Sequence, residues 1–206
     1  EYDIHRANQE AFKLPSRLIA KVFLFRAIYL GPAFAYSRDP DFMPVSKSVD
    51  FWQQVIDNFY NKYKGLYKTH QKYLQTVNQT GKLTSPLGRS YVFKKYDKRG
   101  EKQYSDYEIA NWINQGLGAD ICAVARVSAA ARFAKYNLRS KLISTIHDSI
   151  SSDSPDDEVS TVKEIFLDVF KDLPQNITKA YGIDWNLPML GEVSVGPNLK
   201  DLEEVS

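Results

Sequence analysis

The order of periodic segments most constrains what this chain can fold into. Apolar residues recur at three- and four-residue intervals through Asp50–Thr80, which favours two successive helices with a bend at Gly65. Residues 141–153, KLISTIHDSISSD, alternate instead, and favour two short strands with His147 and Asp148 at the turn. Helical segments flank this hairpin and no alternating β-α-β pattern is present. We therefore expect an α+β fold and not a doubly wound sheet.

Helix caps and helix breakers define the remaining segments. Serine, aspartate and an early proline favour helix starts, whereas glycine and a later proline favour helix ends. These rules predict a helix over Arg17–Tyr29 ended by Gly31 and Pro32, an irregular loop or short hairpin over residues 83–104, a helix over Asp106–Tyr136 capped by Ser105, and a helix that starts at Ser154, Pro155 and Asp157.

Composition bounds the class of protein. With 206 residues and 43% hydrophobic content, the chain can bury one sizeable core or two small ones. A single cysteine, Cys122, excludes an intrachain disulfide, and no apolar run is long enough to indicate a membrane span, so a cytoplasmic location is expected. The net charge is only +2, but Lys62–Lys72 and Lys94–Lys102 are basic and contain several tyrosines, which suits contact with phosphates.

Four residues of the first predicted helix form one slanting face. Arg17, Lys21, Phe25 and Tyr29 recur every four residues, so each side chain is rotated by about 40° from the one before it. Two cations followed by two aromatic rings suit a nucleoside triphosphate, with the phosphates at one end and the base and sugar at the other. The alternative is an ordinary amphipathic helix whose cations extend into solvent.

The segments around this face resemble family A DNA polymerases. DIHRANQEAF and RLIAKVFLFRAIYLG are similar to the family's fingers helix and the segment before it, written R-x3-K-x3-F/Y-x3-Y-G, and most resemble the replicative polymerases of T-odd phages. The resemblance implies these roles: triphosphate binding by Arg17 and Lys21, with Lys21 also catalytic, a sugar contact by Phe25, a position near the templating base for Tyr29, and a phosphate contact by His5. Leu30 stands where the family has glycine, and the glycine follows at Gly31.

Two further segments resemble DNA-contacting parts of the same family. NWINQGLGADI is similar to the helix that follows the minor groove of the primer-template, and Asn111 and Gln115 match its asparagine and glutamine. Amide donors at this spacing would sense correct pairing without reading sequence. TSPLGRSY resembles the T-x-x-G-R segment, which implies that Arg89 contacts the nucleic-acid backbone.

The predicted hairpin turn carries the resemblance to a metal site. IHDSI is similar to the family's H-D-E motif, which implies that Asp148 binds the catalytic metal ions and that His147 is a catalytic and DNA-contacting neighbour. Phosphoryl transfer of this kind uses two Mg²⁺ ions held by carboxylates, and Asp148 alone cannot hold both. The family's other metal aspartate lies upstream of Glu1, and Ser149 replaces the usual glutamate, so we expect weaker or altered metal binding.

Together the motifs imply the C-terminal part of a DNA polymerase. Residues 1–103 match the fingers and 104–206 a part of the palm, with VSVGPNLKDLEE resembling the G-x-N-W ending. The implied partners are primer-template DNA, dNTPs and an N-terminal polymerase fragment or subunit, with a processivity factor as a further candidate. The expected location is the host cytoplasm if a phage encodes the chain. The alternatives are an inactive module that binds primer-template DNA or a partner protein, and a purely structural helical domain.

Overall fold

The computed structural model describes residues 3–98 and 100–205. Seven α-helices lie in the described part of the chain: α1 Ile4–Ala11, α2 Arg17–Ile28, α3 Ala33–Arg38, α4 Val49–Lys62, α5 Lys64–Thr80, α6 Asp106–Lys135 and α7 Val159–Tyr181. The strands are β1 Lys82–Thr84, β2 Ser90–Val92, β3 Tyr96–Lys98, β4 Glu101–Gln103, β5 Lys141–Ile146, β6 Ser149–Asp153, β7 Ser194–Val195 and β8 Glu203–Glu204. The strands pair antiparallel in two-stranded sheets, β1 with β2, β3 with β4, β5 with β6 and β7 with β8. The expected α+β class is confirmed.

The chain divides into two compact units. The first runs through Thr84 and includes Ser90–Asn114, whereas the second comprises Ser85–Arg89 and the chain from Gln115 onward. The division falls within α6. Each unit has a hydrophobic core of its own, so each can hold its functional side chains in place independently.

An aromatic cluster forms the main core of the first unit. Phe23 of α2, Trp52 and Phe59 of α4, Tyr36 of α3 and Phe42 are each fully buried. The ring centroids of Phe23 and Tyr36 are 5.3 Å apart, and those of Tyr36 and Trp52 are 5.4 Å apart. Buried aromatic pairs of this geometry each contribute about 0.5–1.5 kcal/mol beyond the burial of their area. The cluster therefore fixes which side of α2 faces inward.

The core of the second unit lies between α6 and α7. Ala129 and Phe133 of α6 pack with Val169 and Leu173 of α7. Ala125 and Ala129 of α6 are both fully buried in this cluster. Leu142 of β5 and Ile150 of β6 pack against the same cluster, which attaches the β5–β6 hairpin to the helices.

The structure corrects two predicted details. The break between α4 and α5 is at Tyr63, not at Gly65, which lies inside α5. The Tyr63 hydroxyl donates a hydrogen bond of 2.7 Å to Asn8 Oδ1, a tertiary contact, and the Tyr63 ring packs on Phe59 of α4. Ser154 does not cap the following helix; its hydroxyl hydrogen-bonds Ser152 at 3.3 Å, and a 3-10 helix, Asp156–Glu158, precedes α7.

Other local predictions are confirmed, and two helices were missed. The Ser105 hydroxyl accepts a hydrogen bond of 3.3 Å from the Glu108 amide, as expected of a cap for α6. Residues 83–104 form parts of two short hairpins. The short helices α1 and α3 escaped prediction, because six or eight residues give too little periodicity to recognise. Among the described residues, no helix has the length and apolar character needed to cross a membrane.

Candidate functional site

The outward face of α2 carries the predicted cations and one aromatic ring. Ser16 caps this helix by accepting a hydrogen bond of 3.2 Å from the Ile19 amide. Arg17, Lys21 and Phe25 are all exposed, and Phe25 keeps 46% of its surface accessible. The opposite side of α2 is buried through Ala20, Phe23, Leu24 and Ala27. Phe25 is therefore not a core residue, and its ring is accessible to a ligand.

Helix α1 brings an aspartate and a histidine to the same face. The Asp3 carboxylate accepts hydrogen bonds from the His5 and Arg6 amides at 2.9 and 3.1 Å, which caps α1. Its second oxygen accepts a hydrogen bond of 2.6 Å from Arg17 Nε. The Arg17 side chain, assisted by the amide donors, lowers the pKa of Asp3 to about 2. The structure thus joins α1 to the start of α2 through a charged pair that sequence reasoning missed.

His5 lies beside Phe25. Their ring centroids are 6.1 Å apart, so the structure brings His5, Arg17 and Phe25 to one surface. His5 Nδ1 is buried and has no hydrogen-bond partner among the described residues. An unsatisfied buried polar atom costs about 1–3 kcal/mol, which a ligand oxygen at that atom would offset. The Lys21 ammonium also forms no ion pair within the described part of the chain.

The end of α2 forms a tight C-terminal cap with an unusual residue. The Gly31 amide donates to the Arg26 carbonyl at 2.8 Å, and the Leu30 amide donates to the Ala27 carbonyl at 3.1 Å. This is the Schellman arrangement, which requires a left-handed residue at the position of Leu30. Leu30 has a φ of 59°. Leu30 therefore has the backbone conformation that glycine would adopt without strain, and the chain turns directly after Tyr29.

Tyr29 lies at the C-cap of α2 and is partly buried. Its ring centroid is 6.2 Å from that of Tyr107, at the start of α6, with the rings nearly perpendicular. The predicted nucleotide-contacting residues thus run from the first residue of α2 to its last turn, with the second aromatic ring packed against another helix of the same unit.

The second unit carries His147 and Asp148 at the tip of the β5–β6 hairpin. Ile146 pairs with Ser149, so these two residues alone make the turn, as predicted. His147 has a φ of 55°, a conformation that tight hairpin turns require and most residues avoid. Both side chains are exposed. The Ser149 hydroxyl donates to the Ile146 carbonyl at 2.9 Å, so it closes the turn.

The Asp148 carboxylate fits one part of a metal-binding set. It forms no hydrogen bond or ion pair with the described residues, and a carboxylate oxygen is the donor that Mg²⁺ prefers. Burial raises the pKa of the Cys122 thiol on α6, with Arg126 opposing and Asp148 reinforcing this shift. The turn therefore lies within electrostatic reach of Cys122. No group of three or more His, Cys, Asp or Glu side chains in residues 3–98 and 100–205 is placed to hold a metal.

The predicted DNA-contacting residues lie on α6 and on the loop after β1. Asn111 is partly buried and Gln115 is exposed, one helical turn apart. The Arg89 amide donates to Ser85 Oγ at 3.1 Å. Arg89 Nε donates to both carboxylate oxygens of Asp120 on α6, at 2.9 and 3.1 Å. Asp120 was not singled out from the sequence, although it lies in the NWINQGLGADI segment.

A comparison with known families covers almost the whole chain. The sequence profile of DNA polymerase family A matches residues 2–201. The chain belongs to DNA polymerase family A. Family membership does not by itself assign a role to any residue of the α2 face, α6 or the hairpin turn, so each of those roles stays a prediction.

Several family A relatives are similar to the chain. DNA polymerase I of Chloroflexus aurantiacus is 24% identical over 191 residues, which cover 92% of this chain and 19% of the relative. DNA polymerase I of Treponema pallidum is 29% identical over 151 residues, covering 72% and 15%. The DNA polymerase of Bacillus phage SP01 is 22% identical over 214 residues, covering 99% and 23%. The chain therefore spans about a fifth of the length of these relatives.

A solved structure has the same fold. The POL domain of Pol1 from M. smegmatis, in a complex with DNA primer-template and dNTP, superposes with a TM-score of 0.70 at 16% sequence identity, over 83% of this chain and 31% of that chain. At this identity the likeness establishes the fold alone. The particular similarity to T-odd phage polymerases stays a prediction.

Proposed function

We propose that this chain is the C-terminal part of a template-directed DNA polymerase that adds dNTPs to the 3′ end of a primer. The observation that carries the proposal is the exposed α2 face with His5 beside Phe25. A face of cations and rings that is left out of the core is available for a ligand with both phosphates and apolar surface. Family membership over residues 2–201 makes a dNTP the best candidate for that ligand.

The residues of α1 and α2 would divide the nucleotide between them. Arg17 and Lys21 would donate charge-assisted hydrogen bonds to the triphosphate, each worth about 1.5–3 kcal/mol. His5 would contact a phosphate oxygen, Phe25 would lie against the sugar, and Tyr29 would lie near the templating base. Asp3 would have to release Arg17 in part, because its carboxylate now occupies the guanidinium.

Asp148 would supply the carboxylate of this chain to the catalytic metal ions. When bound, two Mg²⁺ ions activate the primer hydroxyl and stabilise the charge on the transferring phosphate. The turn presents Asp148 to solvent without a competing cation among the described residues, and His147 would assist beside it. We infer that the second metal-binding aspartate comes from polypeptide outside these 206 residues, in keeping with a chain that matches about a fifth of its relatives.

Primer-template DNA is the proposed macromolecular ligand. Asn111 and Gln115 would donate to minor-groove acceptors that every correct base pair presents. Arg89 would contact the nucleic-acid backbone in exchange for its pairing with Asp120. An N-terminal polymerase fragment or subunit is the proposed partner, whereas a processivity factor and a cytoplasmic location stay predictions.

Lys21→Ala tests the nucleotide face. In primer extension by the chain with its N-terminal polymerase part, this variant should raise the dNTP concentration for half-maximal rate by about 10- to 100-fold, since one phosphate contact is lost. Lys47→Ala is the matched control, because Lys47 is an exposed lysine of the same unit outside the α2 face. Equal dNTP requirements for the two variants would show that Lys21 does not contact the nucleotide.

A second candidate function is an inactive module that binds primer-template DNA. The Ser149 hydroxyl favours it, since it replaces a carboxylate and donates within the turn. The two functions differ in one measurement: the polymerase extends a primer only with Mg²⁺ present, whereas the module binds primer-template DNA without extending it.

A further inference from the structure

A long segment of the chain, most of it in the first unit, lacks negative charge. Residues 58–96 contain eight lysine and arginine side chains and no aspartate or glutamate, although the whole chain has a net charge of only +2. Exposed segments usually mix the two signs, because neighbouring opposite charges stabilise each other. Helix α5, Lys64–Thr80, lies within this segment.

Three lysines form a row on the outward face of α5. Lys64, Lys68 and Lys72 are spaced by four residues and all are exposed. Successive side chains rise by about 6 Å along the helix and rotate by about 40°, so the three ammonium groups can follow one line. None of them forms an ion pair with the described residues. We name these three residues the lysine row.

The neighbours of the lysine row are also suited to nucleic acid. Tyr67 keeps 47% of its surface accessible. Gln71, between Lys68 and Lys72, and Gln75, one turn beyond Gln71, are exposed on the same side of the helix. The opposite side is buried through His70 and Val77. The outward face of α5 therefore offers cations, amide donors and one aromatic ring, with no carboxylate to repel phosphate.

The lysine row destabilises the helix that carries it. Like charges four residues apart cost about 0.2–0.5 kcal/mol per pair, and the row contains two such pairs. Lys64 is also the first residue of α5, where the positive end of the helix dipole disfavours a cation. A bound polyanion would reverse both effects. Solubility alone would be met at least as well by a face of mixed charge.

We propose that the lysine row binds the phosphate backbone of single-stranded DNA without base specificity. A line of cations beside an accessible aromatic ring is the arrangement that binds unpaired strands, since the ring can stack on any base. The site lies on α5, not on the α2 face, and does not require nucleotide incorporation. The proposal can therefore be tested independently of the proposed polymerase activity.

The salt dependence of binding tests the proposal. The full chain is titrated with a fluorescently labelled oligothymidylate at several salt concentrations, with fluorescence anisotropy as the readout. Each phosphate contact contributes about 0.7 to the slope of log affinity against log salt. Combined Lys64→Gln, Lys68→Gln and Lys72→Gln substitutions should lower that slope by about 2 and weaken binding by roughly 10- to 100-fold at 0.1 M salt.

A matched control removes the same charge elsewhere. Lys171, Lys179 and Lys200 are exposed lysines of the second unit, and their combined change to glutamine should leave the slope within about 0.5 of the wild-type value. An equal loss in both triple variants, or a loss in neither, would overturn the proposal. Preferential binding of an oligoglutamate peptide to the lysine row would overturn it too, and would indicate an acidic protein partner.

Lys68→Glu separates lost binding from lost folding. The new carboxylate would lie between Lys64 and Lys72 on the helix, so thermal stability should stay the same or rise. Affinity for the oligothymidylate should fall clearly, though by less than in the triple variant, because the charge of the row changes by two and not by three. A Lys68→Glu chain that is folded and binds with wild-type affinity would refute the role of the row. Lys21→Ala should not change the salt slope, even if it abolishes dNTP use.

Discussion

Replacing Leu30 with glycine and, separately, with alanine measures the backbone strain at the end of α2. Leu30 has a φ of 59°, and a residue with a Cβ atom loses about 1–2 kcal/mol in this left-handed region. Glycine removes that cost. Both variants lose nearly the same side chain, so their difference isolates the backbone. Leu30→Gly should exceed Leu30→Ala in free energy of unfolding by about 1 kcal/mol.

Leu18 provides the control with the opposite sign. It lies within α2 and is 67% exposed, so its side chain contributes little to packing. Glycine in a regular helix is less stable than alanine by about 1 kcal/mol. Leu18→Gly should therefore be less stable than Leu18→Ala, whereas the order at position 30 is reversed.

Chemical denaturation followed by tryptophan fluorescence measures these differences. The midpoints of the four variants are compared at an unchanged denaturant slope, which ensures that the same surface is exposed on unfolding. If Leu30→Ala is as stable as Leu30→Gly, the left-handed conformation carries no strain, and the reasoning about the Schellman cap is wrong. If Leu30→Gly is the more stable, the cap geometry survives without the family's glycine.

The remaining predictions concern His70 and Asp148. Burial lowers the pKa of His70, so the free energy of unfolding should fall as the pH drops below about 6.5, by at most about 1.4 kcal/mol per pH unit. His70→Gln should lose that dependence, because the other two histidines, His5 and His147, are present in both proteins. A pH profile of stability that is the same in the variant and the wild type would contradict this prediction. Asp148→Ala should abolish Mg²⁺-dependent primer extension yet retain oligothymidylate binding. The control Asp153→Ala, at the far end of the same hairpin, should retain both activities. Primer extension by the Asp148→Ala variant would exclude a metal-binding role for Asp148.

The His70 prediction rests on the direction of one equilibrium. A lowered pKa means that the folded state binds the proton less readily than the unfolded state, so acid favours unfolding. The stabilisation is complete above the ordinary histidine value and is lost as the pH falls toward the lowered one. His70 Nδ1 lies 3.1 Å from the Tyr60 hydroxyl. Protonation of His70 should therefore weaken the packing of α4 against α5.

Part of the candidate site could be predicted because it depends on local spacing. The four-residue recurrence on α2 groups Arg17, Lys21 and Phe25 on one helix face in any environment. Likewise, strand alternation on either side of His147 and Asp148 leaves no residue other than these two for the turn. Such features follow from backbone periodicity, which neighbouring residues in the chain determine.

Other parts of the site needed contacts between distant residues. Asp3 binds Arg17 across fourteen positions, and Arg89 binds Asp120 across thirty-one. Nothing in the local sequence of either aspartate identifies its partner, because side-chain pairing depends on how the elements pack. The same holds for Tyr63 at the break between α4 and α5, whose hydroxyl donates a hydrogen bond to the distant Asn8.

The sequence by itself determined the family, the helical face on α2 and the aspartate at the hairpin turn, since motifs and periodicity are properties of residue order. Only the tertiary structure decided which aromatic side chains enter the core. Phe23 and Phe25 are two residues apart on α2, yet the first is fully buried and the second is 46% exposed. The physical reason is that α3 and α4 supply aromatic partners to only one side of α2. The two side chains are identical, so the side of the helix on which each lies decides whether its apolar area is buried.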